Sequence, residues 1–307
     1  MRVNFSCMAG VVRDVRGTRK AARLTCGRGP ANSARAMPRV RAGALEVFYD
    51  TDGAGEPALL LMGLGGEHHA WDLVRPELAR RHRLVLVDNR DAGASDEAPG
   101  PYSLDDMAVD ALAVMDAVGA ERFHVIGASM GGAIAQRVAL QAPTRVASLV
   151  LLSTWGRTDA FLATILASWR LMAERLSPEA LLRAQTPWAF TYRFFQNPAP
   201  EVRAWQAALA ERGVLKSVPA YQRQVDACLA HDTLDLVPLL RTPSLVLVGE
   251  DDILTPPRYA RALAAALPAG EVLLVPATGH ACFLETPKPC TERILRFLAK
   301  HPLRPET

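Results

Sequence analysis

Short apolar runs of strand length alternate with stretches of helical spacing along most of this chain. Most of the runs show no regular exchange of polar and apolar positions, which is the pattern of strands that are buried on both faces. The runs lie at 45–49, 58–62, 84–87, 123–126, 149–152, 243–248 and 272–275, and the helical stretches at 71–80, 103–118, 130–142, 258–267 and 291–300. This order predicts an α/β fold, in which a mostly parallel sheet is covered by helices on both faces.

The alternation of strands and helices stops between the fifth and sixth of the apolar runs, at residues 154–238. This segment has helical character and contains 10 of the 19 aromatic residues, including four of the five tryptophans. We expect it to be a helical cap, inserted between core segments 42–153 and 239–300 and placed over the carboxyl ends of the strands. Some of its rings should line an apolar pocket, and the candidates are Trp155, Trp188 and Phe194.

The formal charge of +3 hides an uneven distribution. Residues 1–41 contain ten Arg or Lys and one acidic residue, so the rest of the chain is mildly acidic and a nucleic-acid partner is not expected. We expect this basic extension to be disordered, with a transit peptide or translation from Met37 as alternatives. Residues 301–307 are expected to form a tail.

The five cysteines are odd in number and scattered without C-x-x-C spacing. This pattern argues against a disulfide framework or a zinc site, and it favours a reducing compartment, which we take to be the cytoplasm. No apolar run approaches the ~20 residues that a membrane-spanning helix needs.

The strand at 123–126 is followed by Gly127-Ala128-Ser129-Met130-Gly131, which fits the pattern G-x-S-x-G, and then by helical spacing. A sharp turn between a strand and a helix can present a serine hydroxyl as a nucleophile. The flanking glycines allow the strand and helix to approach closely, and the Met130 amide would face an oxyanion at the helix start. The sequence therefore predicts that Ser129 is a nucleophile.

A serine nucleophile needs a base, and the base needs an orienting acid. His280 follows the last predicted strand and Asp252 follows the strand before it, so both should lie at the same sheet edge as Ser129. Asp251 is adjacent to Asp252 and Asp159 is a more distant third candidate for the acid.

One further loop belongs to this edge. Gly63-Leu64-Gly65-Gly66 follows the strand at 58–62, and the Leu64 amide is the natural second oxyanion donor. The neighbouring His68 and His69 could line the pocket, but no carboxylate stands at metal-ligand spacing from them, so no metal site is predicted.

Together these motifs resemble the α/β-hydrolase superfamily over about residues 42–300. The Asp88-Asn89-Arg90-Asp91-Ala92-Gly93-Ala94-Ser95 stretch also resembles a superfamily pattern, although Asp91 stands where glycine is usual and Met62 where histidine is common. Within the superfamily, the chain resembles the 3-oxoadipate enol-lactonase and aclacinomycin-methylesterase branches. The resemblance implies no cofactor.

From this resemblance we expect a soluble serine hydrolase that cleaves a carboxylic ester or lactone with a largely apolar portion. The Ser129, His280 and Asp252 side chains would form its triad, with Leu64 and Met130 as backbone oxyanion donors. Hydrolysis of a carbon–carbon bond, as in meta-cleavage-product hydrolases, is the first alternative. A ligand receptor on a hydrolase scaffold is the second.

Overall fold

A computed structural model of the protein describes residues 38–196, 198, 200, 202–204 and 215–303. The predictions for residues 1–37 and for the last four positions of the tail lie outside the described residues. All the described residues belong to one compact unit that spans Met37–Thr307.

The described chain contains an eight-stranded sheet with the order β1-β2-β4-β3-β5-β6-β7-β8. Strands β3 to β8 are parallel, while β1 and β2 pair in the antiparallel sense at one edge, so the mostly parallel sheet is confirmed. The strands are β1 (Arg39–Ala42), β2 (Leu45–Asp52), β3 (Glu56–Leu61), β4 (His82–Val87), β5 (Phe123–Ala128), β6 (Val146–Leu152), β7 (Ser244–Gly249) and β8 (Gly270–Val275).

Residues 39–41 of strand β1 lie in the segment that we assigned to the basic extension, so the boundary at residue 41 is wrong. Arg39 and Arg41 are exposed, whereas Val40 and Ala42 turn inward. The inward residues pack on the core, and the outward Arg39 contacts Asp96 at 3.1 Å. A four-residue edge strand that is half arginine has a composition like the preceding stretch, and it is therefore hard to distinguish by pattern.

Helices lie on both faces of the sheet. They are α1 (Arg75–Ala79), α2 (Leu104–Ala117), α3 (Met130–Gln141), α4 (Ala160–Arg175), α5 (Pro178–Ala189), α6 (Tyr192–Gln196), α7 (Val218–Leu229), α8 (Pro257–Ala266), α9 (Cys282–Glu285) and α10 (Pro287–Lys300), with 3-10 turns at His68–Trp71 and Val237–Leu239. The helix predicted at 71–80 is instead the first of these turns followed by α1, because Pro76 starts a new helix there.

Alternate residues of one strand enter different apolar layers. In β3, Leu59 and Leu61 pack with α2 and α3, whereas Leu60 packs on the opposite face with residues of α9 and α10. Both faces are therefore buried, which explains why β3 has no polar positions in its second half.

The segment between β6 and β7, called the cap below, contains helices α4 to α7. Helix α4 packs against α5 and α7. Because β3 to β8 are parallel, the loops that follow them meet at one edge of the sheet, which is where the candidate site lies.

Candidate active site

Ser129 occupies the turn between β5 and α3 with φ 55° and ψ −121°, a strained conformation for a residue with a side chain. A Cβ atom at Gly127 would lie 2.2 Å from the Gly131 carbonyl oxygen, and one at Gly131 would lie 2.0 Å from that of Leu61. Only glycine fits either position, so the two glycines permit the close crossing of strand and helix that exposes the serine.

The structure brings Ser129, His280 and Asp252 into one hydrogen-bonded line. Ser129 Oγ lies 2.9 Å from His280 Nε2, and His280 Nδ1 lies 3.0 Å from Asp252 Oδ2. The Asp252 side chain is fully buried, and its Oδ1 accepts backbone N–H groups from Leu254 at 2.9 Å and Thr255 at 2.8 Å. These bonds fix the carboxylate in the orientation that faces the imidazole.

The two other candidate acids lie elsewhere. Asp251 is half exposed and forms a surface ion pair with Arg193 at 3.1 Å. Asp159 accepts the Leu162 N–H at 3.1 Å at the start of α4, and it also accepts the Tyr259 hydroxyl. Of the three candidate acids, Asp252 is therefore the one that contacts the His280 imidazole.

Thr255 also belongs to this network, although no sequence pattern predicts it. Its hydroxyl lies 2.9 Å from both Asp252 Oδ2 and His280 Nδ1, and 3.1 Å from the Ser153 carbonyl oxygen. The order nucleophile, acid, histidine carries no signal for this position. A threonine three residues after the acid is also a common loop residue.

Residues 63–66, called the glycine loop below, lie directly against the nucleophile. A Cβ atom at Gly63 would come within 2.9 Å of Ser129 Cβ. The Met62 carbonyl oxygen accepts Asn89 Nδ2 at 2.9 Å, and the Gly63 carbonyl oxygen accepts the Gly66 N–H at 3.0 Å. The loop is thereby held beside Ser129. On the other side, Met130 begins α3, so its amide has no partner within the helix.

A cavity of about 200 Å³ opens beside Ser129 and His280. Its wall is mainly apolar, with aromatic rings from Trp169, Phe190 and Phe283, and Gln185, Thr186 and Glu67 are among its few polar residues. The glycine loop is also part of the lining. An apolar cavity therefore lies directly beside Ser129.

The three rings that we predicted for this pocket are absent from its lining. Trp155 is 2% exposed and donates its indole N–H to the Thr158 hydroxyl at 2.8 Å. Trp188 packs edge-on against Trp169, and Phe194 stacks on Phe190 with ring centroids 4.0 Å apart. Trp188 and Phe194 therefore contact rings of the lining without lining the cavity themselves. Which ring of a cap helix faces the cavity depends on how that helix packs against its neighbours.

His68 and His69 are also absent from the lining, although Glu67 beside them is present. His68 Nδ1 lies 2.8 Å from Asp88 Oδ1. Burial alone would lower the pKa of His68, but the contact with Asp88 and the nearby Glu67 raises it above its usual value. His68 is therefore tied to the loop after β4.

Two groups of described residues could hold a metal ion, with donor atoms within 4.8 Å of one another. One is Glu67, His68 and His69, so the expectation that no carboxylate stands at metal-ligand spacing from the two histidines is wrong. The other is Glu56, His82 and His124, at the amino-terminal edge of the sheet, where Glu56 Oε2 already lies 3.3 Å from His124 Nε2. The second group is at the opposite end of the strands from Ser129, so it cannot act on a substrate there.

A mostly parallel sheet with a serine at a strand–turn–helix crossing defines the α/β-hydrolase fold. The chain belongs to this family: residues 57–287 match the family model described as alpha/beta hydrolase fold. It is therefore a hydrolase. Within the described residues, no helix has the length and apolar character to cross a membrane.

Several individual proteins are similar to this chain over most of their length. RutD of Azorhizobium caulinodans, named as a candidate carbamate hydrolase, is 31% identical over 85% of this chain and 98% of its own. A thermophilic esterase from Thermogutta terrifontis superimposes with a TM-score of 0.76 at 27% identity, covering 86% and 99% of the two chains. An enol-lactonase from Burkholderia xenovorans gives 0.79 at 23% identity, covering 85% and 100%, which is a likeness of fold alone.

Proposed function

We propose that this protein hydrolyses a small carboxylic ester or lactone whose acyl or ring portion is largely apolar. The observation that carries the proposal is the 2.9 Å contact between Ser129 Oγ and His280 Nε2, two residues that line an apolar cavity. The name of the esterase among the structural neighbours agrees with this substrate class.

In the first half of the reaction, Ser129 Oγ attacks the substrate carbonyl carbon while His280 Nε2 takes its proton. Asp252 holds the imidazole with its proton on Nδ1 and stabilises the imidazolium that forms. The negative charge develops on the carbonyl oxygen, where the Leu64 and Met130 amides donate to it. His280 then protonates the leaving alcohol oxygen, and Ser129 remains acylated.

In the second half, water takes the place of the alcohol. His280 removes a proton from the water as it attacks the acyl carbon, the same two amides hold the oxyanion, and His280 returns the proton to Ser129 Oγ. The products are a carboxylic acid and the free enzyme. This route needs no group beyond these side chains and amides.

The test is a panel of p-nitrophenyl esters, lactones and a ring-fission dienoate, assayed with wild type and with Ser129→Ala. We expect ester or lactone turnover, a loss in kcat on the order of 10⁴- to 10⁶-fold in the variant, and labelling of Ser129 by a fluorophosphonate. Near-wild-type turnover in Ser129→Ala, or labelling of another residue, contradicts the proposal. Preferential cleavage of the dienoate would favour carbon–carbon hydrolysis instead.

A further inference from the structure

Gln224, on cap helix α7, reaches out of the cap and bonds to two loops of the core. Its side chain is fully buried. Its Oε1 accepts the Gly65 N–H at 2.8 Å, and its Nε2 donates to the Arg90 carbonyl oxygen at 2.9 Å. The first partner lies in the glycine loop and the second follows β4. One amide side chain therefore satisfies a donor and an acceptor on adjacent loops of the active edge.

The bond to Gly65 bears on the direction of the Leu64 amide. The peptide that joins Gly63 to Leu64 has its carbonyl oxygen engaged by the Gly66 N–H at 3.0 Å. Because a trans peptide is planar, its N–H points the opposite way. The bond from Gln224 fixes the next peptide, which joins Leu64 to Gly65. The φ angle of Gly65 is 69°. Two successive peptides are thus held, and between them they set the Leu64 N–H.

The helix that carries Gln224 is itself anchored by charge. The neighbouring Arg223 makes a two-pronged ion pair with Asp91, with distances of 2.7 and 2.8 Å. The Asp91 side chain is fully buried and also accepts the Ala98 N–H at 2.8 Å. A shift of α7 would break this pair at the cost of leaving a buried carboxylate without its cation, so Gln224 is held at a fixed height above the glycine loop.

We infer that Gln224 is a positioning residue for the oxyanion hole, through which the cap sets the direction of the Leu64 N–H. The inference rests on the proposed function, since it takes Leu64 as an oxyanion donor. Gln224 touches no reacting atom. Its removal should weaken binding of the transition state more than binding of the substrate, because the oxyanion exists only in the former.

The experiment compares Gln224→Met with Gln222→Met on the same helix. Gln222 donates to Glu174 Oε1 at 2.6 Å on the exposed side of the cap, so the control makes the same chemical change away from the core. Complete removal of an oxyanion donor costs about 10²- to 10³-fold in kcat, and misdirecting one should cost less. We expect Gln224→Met to lower kcat by about 10- to 100-fold, with KM within about threefold, and Gln222→Met to match wild type.

Two further readouts separate positioning from mere stability. Affinity for a trifluoromethyl ketone, whose adduct with Ser129 places an oxyanion in the hole, should fall by the same factor as kcat/KM. Gln224→Glu keeps the acceptor for Gly65 and should recover part of the kcat lost in Gln224→Met. A lower melting temperature with kcat equal to that of the Gln222→Met control would overturn the inference.

Amide hydrogen exchange distinguishes failure of the inference from failure of the proposed function. Exchange over residues 63–66 should speed up in Gln224→Met and not in Gln222→Met, whether or not an ester substrate has been found. Unchanged exchange in Gln224→Met would refute the positioning role. An inactive wild type with an unlabelled Ser129 would instead refute the ester or lactone assignment.

Discussion

Substitution of Asp252 by asparagine exchanges one acceptor for a donor without changing the shape of the side chain. Oδ1 accepts two backbone N–H groups, at 2.9 and 2.8 Å, while Oδ2 faces His280 Nδ1 at 3.0 Å. An asparagine must keep its oxygen at the two N–H groups, since its NH₂ group cannot accept them. Its NH₂ group therefore points at His280 and forces the ring proton onto Nε2, where it faces Ser129.

A histidine in that tautomer cannot take the proton of the serine hydroxyl. The corresponding change in a serine protease lowers kcat about 10⁴-fold, which is about 5.5 kcal/mol of transition-state stabilisation. We expect a loss of this order in Asp252→Asn. The fold should remain because the amide oxygen still caps the loop. Asp251→Asn is the matched control: it removes a surface ion pair worth about 0.2–1 kcal/mol, so kcat should stay within about threefold of wild type.

The assay is steady-state hydrolysis of a p-nitrophenyl ester by both variants, together with melting temperature and the rate of fluorophosphonate labelling. Labelling should slow in Asp252→Asn alone, because it also requires an activated serine. Retention of more than a tenth of wild-type kcat, or an equal small decrease in the two variants, would refute the assignment of Asp252 as the orienting acid.

Three other predictions concern the pocket, the pH dependence and the edge strand. If the cavity holds an acyl chain, kcat/KM should rise about fourfold per added methylene, at about 0.8 kcal/mol each, until the cavity is full. Trp169→Leu should move the optimal acyl length to longer chains, and Trp188→Leu should not. A kcat/KM that does not change with acyl length would contradict an acyl pocket. Burial lowers the pKa of His231 to about 3, so between pH 6.5 and 3 the unfolded chain binds a proton that the folded chain does not. The free energy of unfolding should thus fall as pH falls, by about 2 kcal/mol at pH 5. Urea titrations at pH 7.5 and 5 should show a smaller fall in His231→Gln than in wild type. A chain beginning at Met37 should keep the wild-type melting temperature, whereas one beginning at Gly43 lacks β1 and should melt several degrees lower. Equal melting temperatures of the two shortened chains would show that β1 contributes nothing to stability.

The sequence was most informative where local pattern and topology agree. The apolar run at 123–126, the G-x-S-x-G turn and the following helix are contiguous in the sequence, so the turn at Ser129 could be placed from residues 123–142 alone. His280 and Asp252 are distant in sequence, but both follow parallel strands, and the geometry of such a sheet brings strand ends to one edge. Pattern plus topology was therefore enough to predict the group that the structure places together.

The pattern was least informative where a contact joins distant segments. Asp91 was recognisable only as a departure from a glycine, and its partner Arg223 lies 132 positions further along the chain. The choice of Trp169 over Trp188 for the pocket wall likewise depends on how α4 and α5 rotate against each other. A short amphipathic helix does not encode which of its rings faces a cavity and which supports it.

The cap is tied to the core on both sides of the cavity, and both ties end on loops of the candidate site. Gln224 bonds to the glycine loop, while Glu285 links the other side: its Oε2 accepts the Thr191 hydroxyl at 2.6 Å and its Oε1 accepts the Gly279 N–H at 2.7 Å, next to His280. A change in cap position would therefore move the loops that carry both the proposed oxyanion donor and the histidine. It follows that cap substitutions which alter substrate choice should also alter kcat, unless they leave the bonds of Gln224 and Thr191 in place.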